Sequence, residues 1–243
     1  MTLLRIGTAG WSIPAQHAGG FATAGTHLQR YALGMPAAEI NSSFYRPHRP
    51  ATYARWAAST PEDFRFAVKL PKEISHTRRL AEASEPLEAF LAQVGCLGNR
   101  LGPLLLQLPP SLFFQPQVAP GFLQMLRDRF EGGLVCEPRH PSWFTSEVDR
   151  LLDGLRIARV AADPAVVPQA AEPGGWPGLV YHRLHGSPRI YYSAYPEAVL
   201  LNMAEQLRRA AAPGAEVWCI FDNTAEGEAL RDAQRLRATL EIT

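Results

Sequence analysis

Three residue pairs in this 243-residue chain combine polar chemistry with a spacing of two: Glu39/Asn41, Glu137/Arg139 and Arg183/His185. On an extended strand, positions i and i+2 share a face, so each pair projects into one space. Each pair also stands at the end of an apolar run. The stretch "LVCEPRHPSW" (134–143) passes within three residues from Leu134, Val135 and Cys136 to Glu137, Pro138, Arg139 and His140. Burying an unpaired carboxylate or guanidinium costs several kcal/mol, so such a run must reach a polar cleft where its charges begin.

The same change recurs at other run ends, where Lys69 with His76, Gln107, Asp163 and Asn223 join the set. Arg139 and Arg183 suit bidentate capture of a carboxylate or phosphate. Glu137 or His185 can move a proton as general base or acid. Lys69 can act as an electrophile or nucleophile where its pKa is depressed. With Glu39 and Asp163 as further catalytic candidates, these residues point to a metal-independent acid/base enzyme acting on a small anionic metabolite. Three rival readings stay open. Glu39, Glu137, Asp163 and His185 can converge on a divalent ion in a metal-dependent hydrolase or isomerase. Glu39 and Glu137 can flank a glycosidic bond. The pocket can also bind a metabolite without turning it over. No H-x-H or H-E-x-x-H spacing is present, and the interleaved cations supply the countercharge a metal would bring. No metal ligand set is assigned, and no cofactor is expected.

The elements that must position these residues are eight short apolar runs: 3–10, 37–44, 64–71, 102–110, 133–139, 155–163, 179–186 and 216–223. Between most of them lie helix signals. "THLQRYALG" starts at Thr26 and stops at Gly34, and "RPATYARWAAS" opens with a proline suited to a first turn. Leu87, Phe90, Leu91, Val94 and Leu97 fall on one helical stripe, and the segments from Pro141, Pro196 and Asn223 repeat the pattern. Strands alternating with helices imply parallel pairing through crossovers. Eight units predict an α/β fold, a single (β/α)8 TIM-type barrel domain over residues 1–243, whose active site lies at the C-terminal strand ends. An open doubly wound sheet would show a glycine-rich phosphate turn after its first strand, and "GTAGWS" does not have that form. The Pro/Gly-rich segment 164–178 predicts an irregular sixth crossover that forms a loop, part of a rim over the site. His182 has the opposite strand parity to Arg183 and His185 and is expected to face the helices.

Lys plus Arg (24) nearly balance Asp plus Glu (23), which argues against a nucleic-acid or membrane surface and leaves any anion binding local. Cys96, Cys136 and Cys219 are too scattered for a disulfide framework. With no signal-like N-terminus and no long apolar span, the expectation is a soluble, cytoplasmic protein whose oligomeric state stays open.

Taken together, "EINSSFYR", "FAVKLPKEISH", "LLLQLPPS", "EPRHPSW" and "RLHG" resemble, in order and spacing, the domain of unknown function 72 family, also called YecE-like proteins. The likeness runs from about Ile6 to Leu236. It implies a TIM-type barrel and carries no established activity. Carried over residue by residue, it implies a polar cavity at Glu39, Asn41, Tyr45, Lys69, His76, Gln107, Glu137, Arg139, Trp143, Asp163, Arg183, His185 and Asn223. Catalysis would fall to the three carboxylates, Lys69 and His185, and substrate binding to the others. Two stretches depart from the family pattern. "SIPAQHAGGFATAGTH" replaces the usual tryptophan and Phe-Tyr-Pro stretch, and "FDNT" stands where an Asn-Asn pair is commoner, making Asp222 a local peculiarity.

Overall fold

In the computed structural model, residues 4–212 and 214–241 are described. The strands are β1 (Leu4–Ala9), β2 (Ala37–Ile40), β3 (Arg65–Lys69), β4 (Leu101–Gln107), β5 (Leu134–Glu137), β6 (Ile157–Arg159), β7 (Ala161–Asp163), β8 (Gly174–Gly175), β9 (Leu179–Leu184) and β10 (Glu216–Phe221). They form one sheet in the order β7-β9-β10-β1-β2-β3-β4-β5-β6-β8, parallel except where β8 meets β6. Strands β6 and β7 are separated only by Val160. The first pairs with β5 and the second with β9, so this run carries the sheet around into a barrel.

The strand count therefore differs from the expected eight, for two reasons. The sixth run breaks at Val160, where its partner changes. The two-residue β8 is then laid antiparallel against β6, pairing Ala158 with Gly175 and Arg159 with Gly174. Segment 164–178 is irregular as expected, with a 3-10 turn at Pro168–Ala171 and no α-helix. Its later half is not a rim over the mouth: it returns to the start of β6, where the Trp176 amide donates to the Ile157 carbonyl.

Helices α1 (His27–Gly34), α2 (Pro50–Ala58), α3 (Ser84–Val94), α4 (Ala119–Arg129), α5 (Ser146–Gly154), α6 (Glu197–Ala211) and α7 (Glu228–Glu241) fill the remaining crossovers. Local chemistry explains several starts. Thr26 and Gln29 form a reciprocal capping box on α1, Pro50 opens α2, and the Thr145 hydroxyl accepts from the Val148 amide at α5. The sequence reading overlooked α4, whose first turn contains Pro120 and Gly121; burial of Phe122, Leu123 and Leu126 holds it on the sheet. Among the described residues no helix is long and apolar enough to cross a membrane.

Strand parity divides the core. Val217, Cys219 and Phe221 face the helices, whereas Trp218 and Ile220 join Ala37, Ala67, Leu105 and Val135 inside the barrel. The next inward positions toward the C-terminal ends carry the charges.

Candidate functional site at the barrel mouth

Arg183, near the end of β9, is fully buried and sits among three carboxylates. Its Nε and Nη2 donate to the two oxygens of Glu39 at 3.0 and 2.6 Å, Nη1 to Glu137 Oε2 at 2.8 Å, and Nη2 to Asp222 Oδ2 at 3.1 Å. Tyr181, two residues earlier on the same face, donates its hydroxyl to Glu39 Oε2 at 2.9 Å. Arg183 was expected to grip a substrate, yet four of its bonds go to protein carboxylates. It acts as the hub that allows Glu39, Glu137 and Asp222 to be buried together.

Glu137 ends β5, and Pro138 follows where the strand leaves the ladder. Its carboxylate accepts from Gln107 Nε2 at 2.9 Å and Arg139 Nε at 2.8 Å in addition to Arg183. Burial alone would raise its pKa, but Arg183, Arg139 and His185 outweigh that and hold the carboxyl well below its usual range. Burial would likewise raise Asp222, which Arg183 and His185 instead hold down.

His185 is fully buried with both ring nitrogens engaged. Nδ1 lies 3.0 Å from Asp222 Oδ2, and Nε2 lies 2.9 Å from Glu137 Oε1 and 2.8 Å from Arg139 Nη2. An arginine nitrogen only donates and a carboxylate only accepts, so Nε2 stands between a donor and an acceptor while Nδ1 faces the Asp222 carboxylate as a donor. On taking a proton at Nε2, the ring can turn that bond to Glu137. Gly186, at φ +94°, lets the chain reverse straight after His185; an added Cβ would come within 3.0 Å of the Ser193 carbonyl. The returning loop places Tyr191, itself at φ +72°, edge-on to the His185 ring at 6.1 Å.

Lys69, at the end of β3, is different. It is 6% exposed, yet among the described residues its ammonium makes no hydrogen bond or ion pair and instead lies 4.0 Å from the Phe44 ring centroid. Burial and the Arg183 charge lower its pKa to about 8, against the opposing pull of Glu39, Glu137 and Asp222. The 41–45 turn is tied to β3 by the Ser43 hydroxyl, which donates to the Lys69 carbonyl at 2.6 Å. His76 packs edge-on to Phe44 at 4.8 Å, and burial, Lys69 and Lys72 lower its pKa to about 4. Asn41, in the same turn, keeps a buried Oδ1 with no partner among the described residues.

Glu39, Lys69, Gln107, Glu137, Arg139, Arg183 and His185 therefore come together as their strand positions suggested, with His76 near Lys69 and Asn41 in the turn tied to β3. Four expected residues do not join them. Asp163 follows inward Val160 by an odd step, so it points outward and accepts the Tyr195 hydroxyl at 2.6 Å. Asn223 also has outward phase, and its amide donates to Asp232 and the Ser193 carbonyl. Trp143 is fully buried in the helix-facing core, its indole donating to the Leu112 carbonyl at 2.9 Å. Tyr45 is 78% exposed, its ring edge-on to Phe44. Asp222, Tyr181 and Tyr191 are the additions. The phase of Trp218, Ile220 and Asp222 was a readable signal for the first, but nothing in the residue order marks the turn that presents Tyr191.

The family model described as "Protein of unknown function DUF72" matches residues 5–243. The chain is 34% identical to UPF0759 protein YecE of Escherichia coli K12 over 179 residues, which cover 70% of this chain and 62% of YecE. A solved DUF72 family protein from Thermotoga maritima MSB8 superposes with a TM-score of 0.81 at 25% identity, covering 98% of this chain and 99% of that one. One from Enterococcus faecalis V583 gives 0.83 at 22% identity, covering 99% and 96%. The matched motifs and the full-length model together show that this chain belongs to the DUF72 family.

Proposed function

We propose that the chain is an acid/base enzyme that takes a small anionic metabolite at the barrel mouth and needs no metal for its chemistry. Lys69 carries the proposal: it is a nearly buried ammonium without a counterion of its own, in a cluster whose other charges are paired. By formal count the cluster balances, with Lys69, Arg139 and Arg183 against Glu39, Glu137 and Asp222. Attraction for an anion thus rests on which cation is unpaired, and that cation is Lys69. Arg139, held by Glu137 but 16% exposed, is the second group able to meet the ligand. The orphaned Asn41 Oδ1 suits a hydroxyl or amine donor on the same molecule.

Proton transfer falls to His185. Its Nε2 can accept a proton while Asp222 holds Nδ1–H and Glu137 stabilises the imidazolium. Two observations favour metal-free chemistry: the oxygens of Glu39 and Glu137 are turned to arginine, tyrosine, glutamine and histidine donors, and among the described residues no three His, Cys, Asp or Glu side chains converge as a ligand set.

A thermal-shift screen of sugar phosphates and organic acids, combined with elemental analysis, tests the reading. At least one anion is expected to raise Tm, with its affinity falling tenfold or more in Lys69→Ala and Arg139→Ala. Stoichiometric metal required for turnover would overturn the metal-free chemistry. An unchanged anion response in both variants would overturn the anion site, and binding without turnover of any hit would leave a metabolite-binding protein.

A further inference from the structure

The irregular sixth crossover has a consequence on the other side of the sheet. A regular barrel would lay a helix over the outer faces of β7 and β9. Here segment 164–178 contains none, and a cavity of ≈ 160 Å³ remains between those strands and α6. A second cavity of ≈ 390 Å³ adjoins it, and Glu172, His182 and Gln206 line both. Cavities near 150 Å³ hold a benzene-sized molecule, so the inner chamber has room for a small organic ligand.

The inner chamber is polar in a specific way. His182 is 3% exposed and lines it, yet makes no hydrogen bond, ion pair or ring contact among the described residues. A buried polar side chain without a partner marks a place where something else supplies one. Burial lowers the His182 pKa to about 4, so at neutral pH the ring is uncharged and offers one acceptor nitrogen. Asp163 Oδ2 is occupied by the Tyr195 hydroxyl, but its other oxygen has no hydrogen-bond partner among the described residues. The Glu172 side chain is exposed and takes part in no hydrogen bond or ion pair there. The carboxamides of Asn202 and Gln206 complete the polar wall. Two carboxylates face this chamber and no cation does; Arg209 lines only the outer cavity.

We infer that this inner chamber is a binding site for a small metabolite carrying a primary ammonium group, with Asp163, Glu172 and His182 accepting its protons. An ammonium offers three donors and a positive charge, which match three acceptors and two negative charges. The site is separate from the mouth, although the Asp163 carbonyl accepts the His185 amide at 2.7 Å and so joins the two through backbone. The inference stands whether or not the mouth performs the proposed chemistry.

Putrescine and 4-aminobutyrate are suitable probes, with butyrate and 1-butanol as controls lacking the ammonium. Binding is read by calorimetry on the full chain and by the ring NMR signals of His182. At least one amine should bind and shift those signals, and neither control should. Glu172→Gln, at an exposed position that leaves folding intact, should weaken the amine about tenfold. His182→Phe should abolish binding by filling the chamber, and Lys69→Ala at the mouth should leave it unchanged. Absence of amine binding, equal binding of butyrate, or an unchanged affinity in Glu172→Gln would overturn the inference.

Discussion

On six strands a step of two residues along the inner face of the barrel separates an apolar layer from a polar one. Ala37 precedes Glu39, Ala67 precedes Lys69, Leu105 precedes Gln107, Val135 precedes Glu137, Tyr181 precedes Arg183 and Ile220 precedes Asp222. Apart from the Tyr181 hydroxyl, which reaches up to Glu39, the lower layer is closed by packing that needs no particular chemistry, only volume. The upper layer is equally buried at Glu39, Glu137 and Arg183, and is tolerable only because each charge has a partner. Similar burial thus rests on different physics: a lower-layer side chain can be exchanged for another of like size, whereas an upper-layer charge can be removed only with its partner. Lys69 breaks the second rule, because it is buried beside Phe44 without a counterion of its own.

The largest test of this contrast is Arg183→Met. It leaves three buried carboxylates without their hub and should cost about 3–5 kcal/mol of stability by denaturant unfolding. Adding Glu39→Gln and Glu137→Gln should recover part of that loss, because the penalty lies in unpaired charge. If Arg183→Met alone is nearly neutral, the upper layer is not held by pairing. One layer down, Leu105→Ala should cost about 3 kcal/mol through the cavity it leaves, while the thermal shift given by an anionic hit stays as in the wild type.

Lys69→Met should act in the opposite direction, stabilising the protein by about 1–3 kcal/mol at pH 7 while losing the anion response. The sign follows from protons. Folding lowers the Lys69 pKa from 10.5 to about 8, so the unfolded chain binds more protons between those values. Wild-type stability should therefore rise relative to Lys69→Met as pH climbs through about 8 to 10.5, and the penalty should be complete below 8. Unfolding curves of the two proteins at pH 7 and pH 10 measure the difference. The smallest effect belongs to His76, whose pKa falls from 6.5 to about 4 on folding. Stability should decline as pH drops through that window, and His76→Gln should lessen the decline in Tm measured at pH 7 and pH 4.5.

Much of the site was legible because its residues close apolar runs. Glu39, Lys69, Gln107, Glu137 and Arg183 each end a strand or lie one residue short of its end, and the i, i+2 spacing predicted that Glu137 and Arg139 would share a face. The misplacements have one physical origin. Barrel strands are buried on both sides, so the alternation that reveals facing in a half-exposed sheet is absent from the residue types. Asp163 ends β7 just as Glu137 ends β5, and Asn223 lies two residues beyond β10, but both are one position out of phase and turn to the helix side. Trp143 came from the family likeness, and its packing against Phe114 belongs to the core.

What the residue order determined by itself is the alternation of strands and helices, the irregular sixth crossover, and the abrupt onset of charge at the C-terminal strand ends; these follow from local propensity and from the cost of burying an unpaired charge. Tertiary structure alone decided which charges became partners. The Glu39–Arg183 and His185–Asp222 bonds join residues 144 and 37 positions apart. Closure of the barrel sets those distances, and the same closure left Lys69 over Phe44 without a counterion and His182 in a chamber without a partner. Pairing across such separations depends on where the sheet meets itself, and that is a property of the whole chain.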